Sequence, residues 1–114
     1  MASSKEYMDF IIEQLSELED NTISFRNMMG EYILYYKDRI AGGVYDNRLL
    51  IKNVQSAKKI IKDVVYEIPY KGAKKMILIS DVEDKIFLKK LFEEIYDELP
   101  VGKAPKAKQQ NMSI

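Results

Sequence analysis

Residues 23–52 read ISFRNMMGEYILYYKDRIAGGVYDNRLLIK, and this stretch decides the fold. Ile23 and Phe25 alternate with Ser24 and Arg26, and Gly30 breaks the run. Residues 32–37 are aromatic and branched, a composition that favours a strand. Asp38 and Arg39 predict a tight turn, and residues 40–45 return as a third strand. The Gly42–Gly43 pair inside that strand predicts a bulge or a close backbone approach. Asp46 and Asn47 form the next turn, since both tolerate left-handed φ and bond their own backbone. Residues 48–52 are the fourth strand. Connections this short force antiparallel neighbours, because a parallel pair needs a crossover of a dozen or more residues.

An amphipathic helix is predicted before this meander, over residues 4–19. Tyr7, Ile11, Leu15 and Leu18 line one face, and Ser3 with Glu6 fits a capping box. After the meander, Ser56 is placed to cap a short helix over 57–62. Residues 64–68 read as extended, with Pro69 barring a central ladder position just beyond. Residues 75–79 form a buried strand. Ser80 and Asp81 lead into a last helix over 84–99, ended by Pro100 and Gly102. The expected architecture is α+β: a curved antiparallel sheet with helices packed on one face, in the order α-β-β-β-β-α-β-β-α. The expected core is Ile11, Leu15, Leu18, Leu34, Val44, Leu50, Ile77, Ile79, Leu88, Leu91, Phe92 and Ile95. One domain over 1–100 is expected, followed by a basic tail over 101–114 without aromatics, expected to be disordered.

Composition removes several function classes. The chain of 114 residues has no Cys, no His and no Trp. Disulfide frameworks, Cys or His zinc sites and His-activated nucleophiles are therefore out of reach. General acid–base work near neutrality most often uses His, so an enzyme would have to rely on Lys, Tyr and carboxylates alone. There is no Gly-rich phosphate loop of either common pattern. The apolar runs are far shorter than a bilayer span, and the N-terminus lacks a signal-type apolar region. A cytoplasmic protein with no cofactor and no membrane partner is expected.

Eighteen basic residues balance eighteen acidic ones, but unevenly. Residues 1–20 carry a net charge of −5 and residues 51–80 a net charge of +5. Lys58, Lys59, Lys62, Lys71, Lys74 and Lys75 form the basic group. They fit nucleic-acid phosphates, assisted by the tail lysines, or equally a solvated face. Asp81, Glu83 and Asp84 fit a hard-cation site or, more simply, acids favoured at a helix N-terminus. The eight tyrosines, with Tyr32 and Tyr36 on one strand face and Tyr35 on the other, fit an aromatic binding surface or ordinary sheet packing.

The chain also resembles the N-terminal domain of the TfoX/Sxy family. Arg26, Met28 and Gly30, followed by the strand from Glu31 to Tyr36, match its R-x-M-x-G opening. Gly43 to Asp46, Arg48 to Lys52, Tyr66 to Tyr70, Met76 and the closing helix through Pro100 continue the resemblance over about residues 4–100. It implies an α+β fold and a regulatory, non-enzymatic role. Full-length TfoX proteins regulate competence genes together with the cyclic-AMP receptor protein. The resemblance supplies no catalytic residues. Its signature positions also have structural roles to fill: Gly30 a bend, Met28 packing, and Arg26 a pairing with an acid across the sheet. A protein partner is expected, with a homodimer as one form of it, and a weak nucleic-acid binder is the alternative.

Overall fold

A computed structural model describes residues 3–103. Helix α1 (Lys5–Gln14) is followed by strands β1 (Ile23–Met28), β2 (Glu31–Tyr36), β3 (Arg39–Tyr45) and β4 (Arg48–Ile51). Helix α2 (Gln55–Ile60), strands β5 (Tyr66–Glu67) and β6 (Met76–Ile79) and helix α3 (Lys85–Ile95) complete the order, and a 3-10 turn covers Tyr96–Glu98. The strands form one open antiparallel sheet ordered β1-β2-β3-β4-β6-β5. The expected fold class and element order are therefore the observed ones.

The turns explain the meander. Met29 and Gly30 have φ of 54° and 87°, and Asp46 and Asn47 have φ of 51° and 55°. Two successive positive φ values are the signature of the two-residue hairpin turns whose twist matches that of the strands. The β2–β3 register shifts between Leu34 and Tyr35, placing a bulge beside Ala41. A Cβ on Gly42 would lie 2.1 Å from the Leu50 carbonyl oxygen, and one on Gly43 would lie 2.4 Å from the Tyr32 carbonyl oxygen. Both the bulge and the close approach expected of this glycine pair are present.

The helices cover one face of the sheet. Met8 and Ile11 from α1, Leu15 just after it, and Leu88, Leu91, Phe92 and Ile95 from α3 pack against Leu34, Val44, Leu49, Ile51, Ile77 and Ile79. Tyr36 meets Phe92 edge-on with centroids 5.9 Å apart, and Tyr96 at 5.7 Å. Every expected core residue is buried. Leu50 differs in place: it pairs with Gly43 on the opposite face of the sheet.

Several expected boundaries move. Helix α1 stops at Gln14 rather than Glu19, yet Leu15 and Leu18 stay buried because the following turns lay them on the same core. Its N-cap is Ser4, whose hydroxyl accepts the Tyr7 N–H at 3.1 Å. Ser3 does not cap the helix; it is buried and engaged by Glu31 instead. Ser56 does not cap α2, whose N-cap is Val54. The Ser56 hydroxyl donates to Glu98. The last helix gives way to 3-10 geometry after Ile95. Beyond Pro100, Val101 bridges Arg39 and the Gly102 N–H donates to the Asp38 carbonyl. The hydrogen-bonded network thus runs past the expected boundary at residue 100, and residues 104–114 of the expected tail lie outside the described residues.

Candidate functional site

Alternation along the strands assigns the second face of the sheet. Since Phe25, Leu34, Val44 and Leu49 point to the helices, Arg26, Ile33, Gly43 and Leu50 point away. Ile40, opposite Tyr35, joins them beyond the bulge. No described helix covers this face, and it is apolar at its centre.

A hollow of about 600 Å³ opens here, lined by Met28, Met29, Ile33, Ile40, Tyr45 and Met76, with Glu31, Lys52 and Tyr70 at its sides. Met29, at the tip of the β1–β2 turn, is 96% exposed, so its side chain projects from the fold rather than packing into it. Met28, expected to pack, is half exposed. Methionine presented this way is a flexible, polarizable contact, well suited to a surface that must accommodate another molecule.

A second cleft, of about 730 Å³, adjoins the first and shares Tyr45, Lys52, Tyr70 and Met76 with it. Lys52, Lys74 and Lys75 line it. None of the three forms an ion pair among the described residues. The Tyr45 and Tyr70 rings meet at 6.2 Å where the two hollows join. Burial first, then neighbouring Tyr70, Glu31 and Tyr35, push the Tyr45 hydroxyl above its ordinary value. Tyr45 therefore stays a neutral donor and acceptor through the physiological range.

Glu31 braces one wall. Its carboxylate accepts the Ser3 N–H at 3.1 Å, the Ser3 hydroxyl at 2.7 Å and the Asp46 N–H at 3.1 Å. The Asn47 side-chain oxygen accepts the Ser4 N–H at 2.9 Å. The start of α1, the β1–β2 turn and the β3–β4 turn are thus tied together at the rim. On the other side, Arg26 donates to the Lys103 carbonyl at 3.0 Å and lies 5.9 Å from the Tyr35 ring centroid. The acid partner expected for Arg26 is replaced by this backbone oxygen. Gly30 takes the turn role expected of it.

The expected basic group is divided. Lys74 and Lys75 line the cleft, while Lys58 and Lys75 flank the Tyr66 ring at 5.8 and 4.2 Å from its centroid. Lys59 is exposed on α2, Lys62 lies in a separate hollow with Asp63 and Asp81, and Lys71 is exposed after Tyr70. Lys52 was not among the expected contacts, although it extends the Arg48–Leu50 alternation onto this face. The acids at 81–84 take the helix-terminus role: Asp84 caps α3, accepting the Phe87 N–H at 3.0 Å. Among the described residues no group of three acids is placed to hold a metal ion, and no helix is long and apolar enough to cross a membrane.

The chain is similar to a protein of Spirochaeta aurantia described as an uncharacterized 12.7 kDa protein in the trpE 5' region. The two are 29% identical over 109 residues, covering 95% of this chain and 93% of the relative. No protein-family model matches the chain. No solved structure matches it.

Proposed function

We propose that this chain is a non-enzymatic regulatory or interaction module of the kind its resemblance to the TfoX N-terminal domain implies, and that it engages a protein partner through the helix-free face of its sheet. The supporting observation is the hollow of Met28, Met29, Ile33, Ile40 and Met76, an apolar surface on the side of the sheet away from the packed helices. A sheet face of this kind binds by burying area rather than by chemistry on a substrate. Glu31 in its wall, and Arg26 on the same sheet face, are engaged in holding chain segments together. The partner can be a different protein or a second copy of the chain.

Site-specific photocrosslinking in the native cell tests this. A benzophenone side chain at position 29 should give a discrete covalent adduct. The same group at position 86, exposed on α3, should give none. Equal labelling from both positions, or no adduct from position 29, would count against the proposal.

A further inference from the structure

We infer that the helix-free face takes an acidic–apolar peptide segment, its apolar side chains in the hollow around Met29, Ile33 and Ile40 and its carboxylates in the adjoining cleft of Lys52, Lys74 and Lys75. This rests on the proposal that the face is the interaction surface, and adds the chemistry of the partner.

The two hollows are continuous, because they share Tyr45, Tyr70, Lys52 and Met76. Their characters differ. One is floored by Met and Ile side chains. The other is lined by Lys52, Lys74 and Lys75, none neutralised in an ion pair by a carboxylate of the described residues, with the Lys75 ammonium at the edge of the cleft 4.2 Å from the Tyr66 ring centroid. Cations left unpaired around a concave surface attract anionic groups and set the register of whatever binds. A ligand fitting both parts must be apolar at one end and anionic at the other, within a few residues of extended chain at about 3.3 Å each.

A polyanion fits less well. Glu31 stands beside the apolar hollow and would oppose a phosphate chain running the length of the face. No arginine lines either hollow. Apart from Tyr45 and Tyr70, the apolar lining of the hollow is aliphatic and thioether rather than a row of stacking rings. A peptide whose charges gather at one end avoids Glu31 and still meets the lysines.

Selection from a phage-displayed library of random dodecapeptides against the full chain tests the inference. Recovered sequences should pair apolar residues with a run of Asp or Glu. Lys74→Glu with Lys75→Glu, both exposed, should weaken a recovered peptide about tenfold, the order expected for reversing two partly exposed charges. Lys59→Glu with Lys62→Glu, which makes the same charge change elsewhere, should leave affinity within about twofold. Met29→Asp should also weaken binding, and Asp tolerates the left-handed φ of 54° at that position.

Apolar peptides that are lost on Met29→Asp but indifferent to Lys74 and Lys75 would overturn the inference and spare the interaction face. Peptides indifferent to both variants would overturn the inference and the proposed face together. Recovery of no peptide, or binding of oligothymidylate in the lysine cleft where the peptides fail, would overturn the inference.

Discussion

The Ser3 hydroxyl donates to Glu31 Oε1 at 2.7 Å, and through this bond the chain's first described residue holds the β1–β2 turn against the β3–β4 turn. Glu31 Oε1 also accepts the Ser3 and Asp46 N–H groups, while the Ser3 hydroxyl accepts the Asn47 N–H at 3.0 Å. One carboxylate therefore satisfies donors from segments 28 and 15 residues away. The same carboxylate forms part of the wall of the apolar hollow.

Glu31→Ala should destabilise the fold by about 2–4 kcal/mol, since it leaves a buried hydroxyl and two backbone N–H groups without their charged acceptor. Ser3→Ala should cost about 1–2 kcal/mol. Urea unfolding of both single variants and the double should show a coupling of about 1 kcal/mol or more. Additive effects would mean the two residues act separately.

The glycine pair in β3 is fixed by space. Gly42→Ala should cost about 2–3 kcal/mol, because its methyl would enter the Leu50 carbonyl. Gly43→Ala should cost about the same, caught between the Tyr32 carbonyl and the Tyr45 ring, and should also displace that ring from the site. Thermal unfolding together with the Tyr45 proton resonances checks both effects.

The Asp38–Tyr96 bond, 2.7 Å long, makes stability depend on pH at both ends of the range. The donated Tyr96 hydroxyl, then Asp38's own backbone N–H, hold the Asp38 carboxyl below its ordinary value. Its contribution is present above the unfolded carboxyl value and is lost as pH falls through the lower folded one. Tyr96 is raised, first by the same bond. That contribution is present below the ordinary tyrosine value and is lost as pH rises through the higher folded one. The stability difference between the parent and Tyr96→Phe should therefore be greatest around neutrality and shrink in strong acid and in strong base. Urea midpoints across pH measure it, and a difference independent of pH would contradict it.

Arg39 secures the end of the fold. It donates to the carbonyls of Asp97 at 3.3 Å and Leu99 at 3.0 Å, and its guanidinium sits 4.7 Å from the Tyr96 ring centroid. Arg39→Ala should cost about 1–3 kcal/mol. It should also speed amide exchange at Ile40 and Gly102, whose N–H groups bond Pro100 and Asp38. The Leu34 and Leu50 amides, on central strands, should change far less.

The sheet was legible because its signals are local. Gly30, and Asp46 with Asn47, mark turns only a few residues apart, and short spacing alone dictates antiparallel pairing. The helix-side core followed from periodicity, Met8 and Ile11 on one helix and Leu88 to Ile95 on another. What escaped depends on distant partners. The spacing to Glu6 favours Ser3 over Ser4 as the helix cap, but Glu31 binds Ser3 and Ser4 caps the helix instead. Leu15 and Leu18 extend an apolar spacing that the chain satisfies by a turn rather than by helix. In the candidate site, the density of lysines over 51–80 suggested one patch, but Lys74 lines the cleft, Lys58 and Lys75 meet at the Tyr66 ring, and Lys62 lies in a separate hollow. Lys52 and the Tyr45–Tyr70 contact become a site only once β4 and β6 are neighbours.

The most direct test of the interaction face uses the chain's own methionines. Met28, Met29 and Met76 line the hollow, whereas Met8 is buried among the helices. In methyl-TROSY spectra of methyl-labelled chain added to native cell extract, the signals of Met28, Met29 and Met76 should shift together while Met8 keeps its position. Movement of Met8 with the hollow's methyls unmoved, or no change in any of them, would contradict the account.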